Sequence, residues 1–143
     1  VINQLLKIIK AKYMFLGEKD FQQVYLIKKF IKNKFSTKVV KCKTIRDRNS
    51  LPYSSRNFLL EKSYLIKASK VSNKIKKFKY LIKKNFKNIN KLKTIKKDIS
   101  NSGIDIEYLE IRNKFNLTNN INKKNLKVFI AYYINNVRLI DNY

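Results

Sequence analysis

Helix-like and strand-like apolar patterns alternate over the first fifty residues, and this order constrains the fold more than any other feature of the chain. Apolar side chains recur at helical spacing over residues 2–9, and the run Tyr13-Met14-Phe15-Leu16 then predicts a buried strand that ends at Gly17. Helical spacing returns over residues 24–31, and apolar residues from Val39 to Ile45 predict a second strand. The order helix–strand–helix–strand predicts a parallel sheet with a crossover helix.

Single side chains in this part carry further expectations. Asp20 is placed to cap the second helix. The apolar face of that helix is predicted to comprise Val24, Ile27, Phe30 and Ile31. Cys42 lies in the second strand and is predicted to be a small core residue. Because it is the only cysteine, an internal disulfide is excluded.

The stretch Asn49-Ser50-Leu51-Pro52 breaks the pattern and is the candidate domain boundary. After it, apolar residues at helical spacing predict a long helix over residues 61–84 and a second helix over residues 89–99. Ser102-Gly103 is expected to end the second helix, because glycine readily adopts the conformation that follows a helix.

Strand patterns dominate the end of the chain. Residues 104–111 alternate between apolar and polar side chains, as a half-buried strand does. Two further strands, residues 128–134 and 137–140, flank Asn135-Asn136, and because asparagine tolerates positive φ this pair predicts a hairpin turn. Residues 117–125, rich in Asn and Lys, are expected to form a loop. The second half therefore predicts two helices and a three-stranded antiparallel sheet.

Charged residues of these strands are expected to have structural roles. The carboxylates of Asp105, Glu107 and Glu110 alternate along one strand, which favours its wet face over an acid–base pair. Arg138 and Asp141 lie in the last strand, where packing or salt bridges are the favoured interpretation.

Two short polar segments differ from the remainder of the chain, which is rich in Lys, Ile and Asn. We call residues 17–23 (GEKDFQQ) the first polar segment and residues 51–57 (LPYSSRN) the second polar segment. Each follows one of the two predicted parallel strands. Because ligands of such sheets bind beyond the carboxyl ends of the strands, we expect both segments to contribute to one site.

The first polar segment carries groups suited to a nucleotide. Gly17 leaves backbone open to close approach by a ligand. Lys19 can neutralise phosphate charge, and Asp20 can accept hydrogen bonds from ribose hydroxyls. Gln23 lies one helical turn further and can hold a carboxylate or hydroxyl through its amide. The alternative is a capped surface helix with a solvated lysine, and spacing alone does not decide between the two.

The second polar segment brings two hydroxyls and a guanidinium together after a turn. Ser54, Ser55 and Arg56 can bind a triphosphate and stabilise charge that develops on the α-phosphorus and on departing pyrophosphate. Taken alone, the segment favours a simpler interpretation, in which a serine caps a helix and the arginine lies on the surface.

Composition leaves one competing class of function open. The net charge is +25, which would suit a nucleic-acid-binding protein of the ribosomal type. However, lysine is spread through all segments and arginine is scarce, which favours compositional drift on solvated faces. The chain has no histidine and one cysteine, so His-based catalysis and zinc-cluster patterns are excluded. No run of eighteen apolar residues predicts a membrane helix.

Three motifs in order resemble the pantothenate synthetase (pantoate–β-alanine ligase) family. They are the first polar segment, Ser54-Ser55-Arg56-Asn57 about thirty residues later, and Arg138-Leu139-Ile140-Asp141-Asn142 near the end. The strand Ile106-Glu107-Tyr108-Leu109-Glu110-Ile111-Arg112 also fits the family's pattern. The resemblance covers the family's C-terminal half: the end of a Rossmann-like nucleotide-binding domain of the HUP or adenylyltransferase type, and a small α+β lid domain.

The resemblance implies an ATP-dependent ligase. Pantoate attacks the α-phosphate of ATP, with Mg²⁺, to give pantoyl adenylate and pyrophosphate, and the amine of β-alanine then displaces AMP. ATP would be bound by Gly17, Glu18, Lys19, Asp20, Ile45, Tyr53, Ser54, Ser55 and Arg56. Residues implied in catalysis are Lys19, Ser54, Ser55 and Arg56. Gln23 would bind pantoate, and Ile45 would offer its backbone to adenine.

The resemblance also implies a fold and a setting. It implies an α/β fold with residues 1–50 in the nucleotide-binding domain and residues 51–143 in the lid domain, which consists of two helices and a three-stranded antiparallel sheet. Residues 53–56 would form a mobile phosphate-binding loop. The family further implies a cytoplasmic homodimer without a membrane or nucleic-acid partner, and no protein ligand for a metal ion is identified in the chain.

Some features depart from the family pattern. Ser50-Leu51-Pro52-Tyr53 replaces the usual Gly-Leu-Ala-Met or Gly-Leu-Ala-Leu before Ser-Ser-Arg, and we expect the proline to stiffen the loop. The family's paired histidines and its second pantoate-binding glutamine are absent from the chain. Because the chain begins at Val1 without Met, we expect a fragment of a longer enzyme that does not complete the reaction alone.

Overall fold

The computed structural model describes all residues from Val1 to Tyr143 and divides into two compact units, Val1–Thr44 and Ile45–Tyr143. Residues 45–50, which the predicted boundary assigns to the first domain, are grouped with the second unit. The physical reason is Arg46, whose side chain is hydrogen-bonded to residues at the end of the chain. The functional identity of the two predicted domains stays a prediction.

The first unit is a two-stranded parallel sheet with two helices. Its elements are α1 (Ile2–Ile9), β1 (Tyr13–Gly17), a 3-10 turn (Glu18–Asp20), α2 (Phe21–Ile31) and β2 (Lys38–Cys42). The strands are parallel in a register that pairs Tyr13 with Lys38 and Gly17 with Cys42. This confirms the predicted helix–strand–helix–strand order and its parallel pairing.

The core of the first unit lies on one face of this sheet. Leu6 of α1 packs with Ile27 and Ile31 of α2. Partly buried residues that pack against them are Ile2, Met14, Leu16, Phe35 and Val39. Met14 and Leu16 alternate along β1, so the strand buries one face, in keeping with the two-residue period of a strand.

Five side chains of this unit and its boundary are more exposed than predicted. In β1, Tyr13 and Phe15 lie on the face opposite Met14 and Leu16, and Phe15 is 67% exposed. The position of Phe30 on α2 falls outside the stripe of Val24, Ile27 and Ile31, and its ring is instead covered by the Lys34 ammonium at 4.3 Å.

Cys42 and Ile45 also differ from their predictions, because they lie at and beyond the end of β2. Cys42 is the last residue of β2 and is exposed. Ile45 lies beyond the end of β2 and is 73% exposed, so it is not a strand residue.

The second unit contains the predicted pair of helices, with a 3-10 turn between them. Within this unit, the 3-10 turn Ser55–Leu59 precedes α3 (Lys62–Lys84), and the 3-10 turn Phe86–Lys91 leads into α4 (Leu92–Ser100). The predicted helix over residues 89–99 thus begins in a 3-10 turn, which Asn85 caps by accepting a hydrogen bond from the Lys87 amide at 3.0 Å. Gly103 adopts φ +76° just after α4, as its predicted helix-ending role requires.

Three antiparallel strands complete the second unit: β3 (Asp105–Asn113), β4 (Leu126–Ile134) and β5 (Val137–Asn142), in the order β3-β4-β5. Asn135 and Asn136 both adopt positive φ between β4 and β5, which confirms the predicted hairpin turn. The only irregularity in the β3–β4 pairing lies between Ile106 and Tyr108. The α/β fold and the three-stranded antiparallel sheet are therefore confirmed.

The core of the second unit lies between α3 and the sheet. The largest apolar side chains that are fully buried come from α3, α4 and β4: Ile75, Phe78, Ile82, Ile99, Val128, Ile130 and Tyr132. β4 contributes alternate residues to this core, and residues of β3 and β5 join them, whereas α3 contributes residues three or four apart. No helix of the chain has the length and apolar character needed to span a membrane.

Candidate functional site

The first polar segment begins where β1 ends. Gly17 has φ −67° and ψ 129°, an extended conformation that any residue adopts. Beyond its two chain neighbours, no residue has a heavy atom within 4 Å of the position that a Cβ at Gly17 would occupy. Neither backbone strain nor packing in the structure therefore requires glycine here, and the backbone stands beside open space.

Asp20 precedes α2, but its side chain makes no capping hydrogen bond, so the predicted capping role is wrong. Asp20 and Gln23 are both exposed and lie close to one helical turn apart, which brings them to the same side of the segment. Glu18 and Lys19 are half-buried in the 3-10 turn. The start of α2 therefore does not depend on a capping bond from the Asp20 carboxylate, which stays exposed beside Gln23.

A basic residue that sequence reasoning missed lies beside this segment. Lys41 pairs with Leu16 in the β1–β2 register, and its ammonium lies 5.7 Å from the centre of the Phe21 ring. No local signal distinguishes Lys41 from the many other lysines, because its position follows only from the pairing of the two strands.

The second polar segment starts in a small hairpin. Arg46 and Pro52 form an isolated antiparallel bridge. The Asp47 amide donates to the Leu51 carbonyl at 2.9 Å, and the Tyr53 amide donates to the Ile45 carbonyl at 3.1 Å. The residues that precede the serines are therefore fixed by backbone pairing.

The turn of this hairpin is held from inside and from α3. The Asp47 Oδ1 atom accepts hydrogen bonds from the amides of Asn49 at 2.8 Å and Leu51 at 2.9 Å. From α3, the Lys76 ammonium donates to Ser50 Oγ at 3.2 Å, and Asn73 donates to the Asn49 carbonyl at 2.9 Å.

Ser54 then caps the 3-10 turn Ser55–Leu59, which carries Ser55 and Arg56. The Ser54 Oγ atom accepts a hydrogen bond from the Arg56 amide at 3.3 Å, so the capping interpretation of the sequence is realised for Ser54. The Arg56 guanidinium donates to the Arg138 carbonyl of β5 at 3.1 Å. Ser55 is exposed, as is Tyr53.

A groove of about 520 Å³ opens beside these residues. It is lined by Asp47, Leu51, Tyr53, Ser54, Ser55, Asn57, Phe58 and Leu65. The walls are mainly apolar, and Ser54 and Ser55 are among the polar residues that line it. This combination of apolar surface with a few polar groups is typical of small-molecule sites.

The most heavily bonded charged group of the second unit is Arg46, which sequence reasoning did not single out. Its guanidinium donates to both carboxylate oxygens of Asp141, at 2.7 and 2.8 Å. It also donates to the carbonyls of Ser50 at 2.9 Å and Asn142 at 3.1 Å, and to the Tyr143 hydroxyl at 3.0 Å. The salt-bridge interpretation of Asp141 is therefore confirmed.

The charges in this cluster shift the pKa values of its members. Burial acts to lower the pKa of Arg46, but the hydrogen bonds and charge of Asp141 outweigh it and raise the pKa above its ordinary value. Burial, reinforced by the nearby Asp141 carboxylate, raises the pKa of the Tyr143 hydroxyl well above its usual range. Arg46 is therefore charged, and Tyr143 neutral, throughout the physiological range.

The remaining predicted structural charges behave as expected on β3 and β5. Arg138 forms two hydrogen bonds to the Glu107 carboxylate, at 2.6 and 3.1 Å. Elsewhere, no group of three or more His, Cys, Asp or Glu side chains lies close enough together to hold a metal ion.

The first polar segment and Lys41 belong to the first unit, whereas Ile45 and the second polar segment belong to the second. Each unit brings its own set together. The expected arrangement, in which both sets line one ATP site, stays a prediction.

Comparisons of sequence identify relatives over the whole chain. The family model for pantoate-beta-alanine ligase matches residues 1–143. The pantothenate synthetase of Flavobacterium psychrophilum is 36% identical over 149 residues, which cover 99% of this chain and 52% of that protein. The pantothenate synthetase of Francisella tularensis subsp. mediasiatica is 38% identical over 144 residues, which cover 100% of this chain and 47% of that protein.

Solved structures agree. A crystal structure of the pantoate-beta-alanine ligase of Francisella tularensis, complexed with beta-gamma ATP and beta-alanine, superposes with a TM-score of 0.77 at 31% identity, and the match covers 99% of this chain and 47% of that one. The pantothenate synthetase of Thermus thermophilus has a TM-score of 0.84 at 20% identity, over 99% of this chain and 52% of that one, and supports the fold alone.

The chain spans about half the length of the curated relatives that it matches. The competing prediction of a nucleic-acid-binding protein receives no support from any of these comparisons. Since the family model extends over every residue, the chain belongs to the pantoate–β-alanine ligase family.

Proposed function

We propose that this chain supplies ATP-handling residues to an enzyme that joins pantoate to β-alanine. A pantoate carboxylate oxygen attacks the α-phosphorus of ATP, and the bond to the departing pyrophosphate breaks. The amine of β-alanine then attacks the carbonyl carbon of pantoyl adenylate, loses a proton, and expels AMP as the amide forms. Positioning and charge neutralisation supply most of the catalysis in such steps.

The observation that carries the proposal is that the serines of the second polar segment line a groove, in a chain of this family. Ser54 and Ser55 follow a hairpin that is fixed at its base, and they line a groove of about 520 Å³. The Francisella tularensis ligase, whose structure matches 99% of this chain, was crystallised in complex with beta-gamma ATP and beta-alanine.

Ser55 and Arg56 are assigned to the phosphates. Both are exposed, and the Arg56 guanidinium is held by one hydrogen bond to the Arg138 carbonyl. A guanidinium that keeps donors free can bind phosphate oxygens in a bidentate manner and stabilise the charge that develops on pyrophosphate. Ser54 caps the 3-10 turn, so its hydroxyl also positions the turn.

Ile45 and Tyr53 are assigned to the nucleoside. The Ile45 carbonyl already accepts a hydrogen bond from the Tyr53 amide. We therefore assign the adenine contact to the Ile45 N–H, which can donate to a ring nitrogen. The exposed ring of Tyr53 offers an apolar surface beside the groove.

The first polar segment is assigned to ribose, phosphate and pantoate. Open space beside Gly17 admits a ligand to the backbone. Asp20 makes no capping bond, so its carboxylate is available to ribose hydroxyls, and Lys19 is assigned to phosphate, with Glu18 contributing to the same turn. Gln23 is exposed on the side of Asp20 and is assigned to pantoate.

Mg²⁺ enters this proposal only as a companion of the ATP phosphates. The side chains of this chain do not fit a protein metal site, since no cluster of three potential ligands exists. Mg²⁺ is commonly held through substrate phosphates with few protein ligands. The Rossmann-like character of the first unit, a homodimeric enzyme and a cytoplasmic location complete the proposal as expectations from the family.

Binding of ATP to the 143-residue chain tests the site assignment. Isothermal titration calorimetry compares the wild type with Lys19→Ala and Ser55→Ala, each of which is expected to weaken binding about tenfold or more, because each removes a hydrogen bond to a charged group. Lys29→Ala and Ser63→Ala change exposed residues of the same types outside the two polar segments and are expected to bind ATP like the wild type.

The reaction is tested by pantoate-dependent exchange of labelled pyrophosphate into ATP in an enzyme that contains this chain. Ser55→Ala is expected to lower exchange roughly a hundredfold or more. Equal ATP affinity and exchange in Ser55→Ala and Ser63→Ala would contradict the assignment.

A further inference from the structure

One ion pair joins Arg46, in the hairpin that leads into the second polar segment, to Asp141 of the last strand. Arg46 and Asp141 are 95 positions apart in sequence, and their side chains are 20% and 3% exposed. The guanidinium meets the carboxylate in the two-bond geometry that arginine favours, and its Cζ atom lies 4.3 Å from the centre of the Tyr143 ring. Two hydrogen bonds from one planar guanidinium fix its orientation relative to the carboxylate.

The same guanidinium also fixes the turn that precedes the serines. It donates to the Ser50 carbonyl at 2.9 Å, and Ser50 adopts φ +69°, a conformation that serine rarely takes. A backbone held in this region needs neighbours that over-determine it. Arg46 supplies one such constraint from the sheet side, and the Lys76 and Asn73 bonds supply others from α3.

After Leu51, the side chains of the second polar segment become more exposed to solvent. Tyr53 is 65% exposed and Phe58 is 92% exposed, whereas Leu51 is 4% exposed. The base of the segment is therefore anchored on both sides, and its tip, which carries Ser55, is open to solvent. The hairpin is therefore held in place, while the exposed side chains of Tyr53 and Ser55 are accessible to a ligand.

We propose that Arg46 and Asp141 are positioning residues, which hold the base of residues 47–57 on β5 so that Ser54, Ser55 and Arg56 are presented in one register to ATP. We call the Arg46–Asp141 pair, with its bonds to the hairpin, the clamp. The identity of the ligand rests on the proposed function, whereas the clamp rests on the observed hydrogen bonds alone. Arg46 acts through Ser50 and the bridge to Pro52, and Asp141 acts through Arg46.

A second arginine–carboxylate pair of the same unit provides a matched control. Glu107 and Arg138 share two hydrogen bonds of comparable length, but their side chains are 38% and 34% exposed. The pair meets residues 47–57 through the Arg138 backbone carbonyl, which accepts a hydrogen bond from Arg56, and Glu107→Gln leaves that carbonyl in place. Loss of the Glu107 carboxylate therefore removes a similar pair without touching the base of the segment.

Amide hydrogen exchange of the full 143-residue chain, read by mass spectrometry, tests the clamp. In Asp141→Asn, exchange in residues 47–57 is expected to rise about tenfold or more, because breaking a buried pair leaves an uncompensated charge. Exchange in the paired centre of β3 and β4 is expected to change far less. Arg46→Lys keeps the charge but loses the fork, and it should give the same local pattern with a smaller amplitude.

In Glu107→Gln, exchange in residues 47–57 is expected to match the wild type. Uniform acceleration over the whole second unit in both Asp141→Asn and Arg46→Lys would overturn the proposal, since it would show a general stabilising role. Unchanged exchange in residues 47–57 would overturn it as well.

A second readout links the clamp to ATP. Asp141→Asn is expected to weaken ATP binding about tenfold, and Asp141→Glu, which retains the charge, should restore part of it. If the wild-type chain binds no ATP while the exchange pattern holds, the proposed function fails and the clamp stands. If ATP binds equally to the wild type and to an Asp141→Asn chain with a loosened segment, the positioning role is overturned.

Discussion

Pro52 faces Arg46 in an antiparallel bridge at a position where the pairing needs no N–H from the proline. The two hydrogen bonds of the bridge are made by the amides of Asp47 and Tyr53, on either side of the pair. A proline is tolerated in such a place, because it removes a donor that the ladder does not use. The departure of Pro52 from the family pattern therefore does not disrupt the hairpin.

Pro52→Ala is expected to lower the free energy of unfolding by about 0.4–1 kcal/mol, chiefly because the unfolded chain gains conformational freedom. Leu51→Pro, one residue earlier, is expected to cost more, since it removes the amide that donates to Asp47 Oδ1 at 2.9 Å. Urea denaturation of the two variants checks the order. A larger loss in Pro52→Ala than in Leu51→Pro would show that the pairing has been misassigned.

Asp47 is expected to matter through its side chain. Asp47→Ala leaves the amides of Asn49 and Leu51 without their acceptor, and the expected loss in the free energy of unfolding is about 1–3 kcal/mol. Asp47→Asn keeps an oxygen at the same place and should lose less, because it removes only the charge assistance. Denaturation midpoints of the three proteins measure the difference, and equal midpoints would refute this role.

Local signals were sufficient for most of the fold. The periodicity of residues 61–84 predicts α3, and the tolerance of asparagine for positive φ predicts the turn at Asn135 and Asn136, because each signal lies within the element that it forms. Burial was less predictable. Whether Phe15 or Cys42 is covered depends on which face of a two-stranded sheet meets a helix, and nothing in residues 13–16 or 39–42 encodes that choice.

The residues of the candidate site also fall into those that local sequence signals reveal and those that only the fold brings together. Ser54, Ser55 and Arg56 were found from their own side-chain chemistry and spacing, and their roles stay proposals. Arg46 was missed because its partner Asp141 lies 95 positions away, and no periodic pattern connects an arginine after β2 with an aspartate in β5. Only the fold, which brings both ends of the second unit together, creates that pair.

Ser50 stands where the family pattern has glycine, and its φ of +69° supplies a physical reason for that preference. Ser50→Gly and Ser50→Ala both lose the hydrogen bond from Lys76, but only glycine relieves the left-handed conformation. We expect the glycine variant to be more stable than the alanine variant by about 1 kcal/mol, measured by thermal or urea unfolding. Equal stability of the two variants would mean that the turn relaxes out of positive φ.

The Glu107–Arg138 pair predicts a dependence of stability on acid pH. The hydrogen bond from Arg138 holds the pKa of Glu107 below its ordinary value of 4.5. Because the pKa of the folded state is the lower one, the unfolded chain binds the proton more readily, so the contribution of Glu107 is fully present above pH 4.5 and is lost as the pH falls through the folded-state pKa.

Urea denaturation of the wild type and of Glu107→Gln from neutral pH down to acid pH measures this contribution as the gap between the two stabilities. We expect a small gap that is constant above pH 4.5 and closes below it, since both side chains are exposed and water screens the pair. Added salt at neutral pH should also reduce the difference in stability between the two proteins, because it screens the ion pair. A gap that widened as the pH fell would reverse the sign required by a lowered pKa and would rule out the pairing of Glu107 with Arg138 in solution.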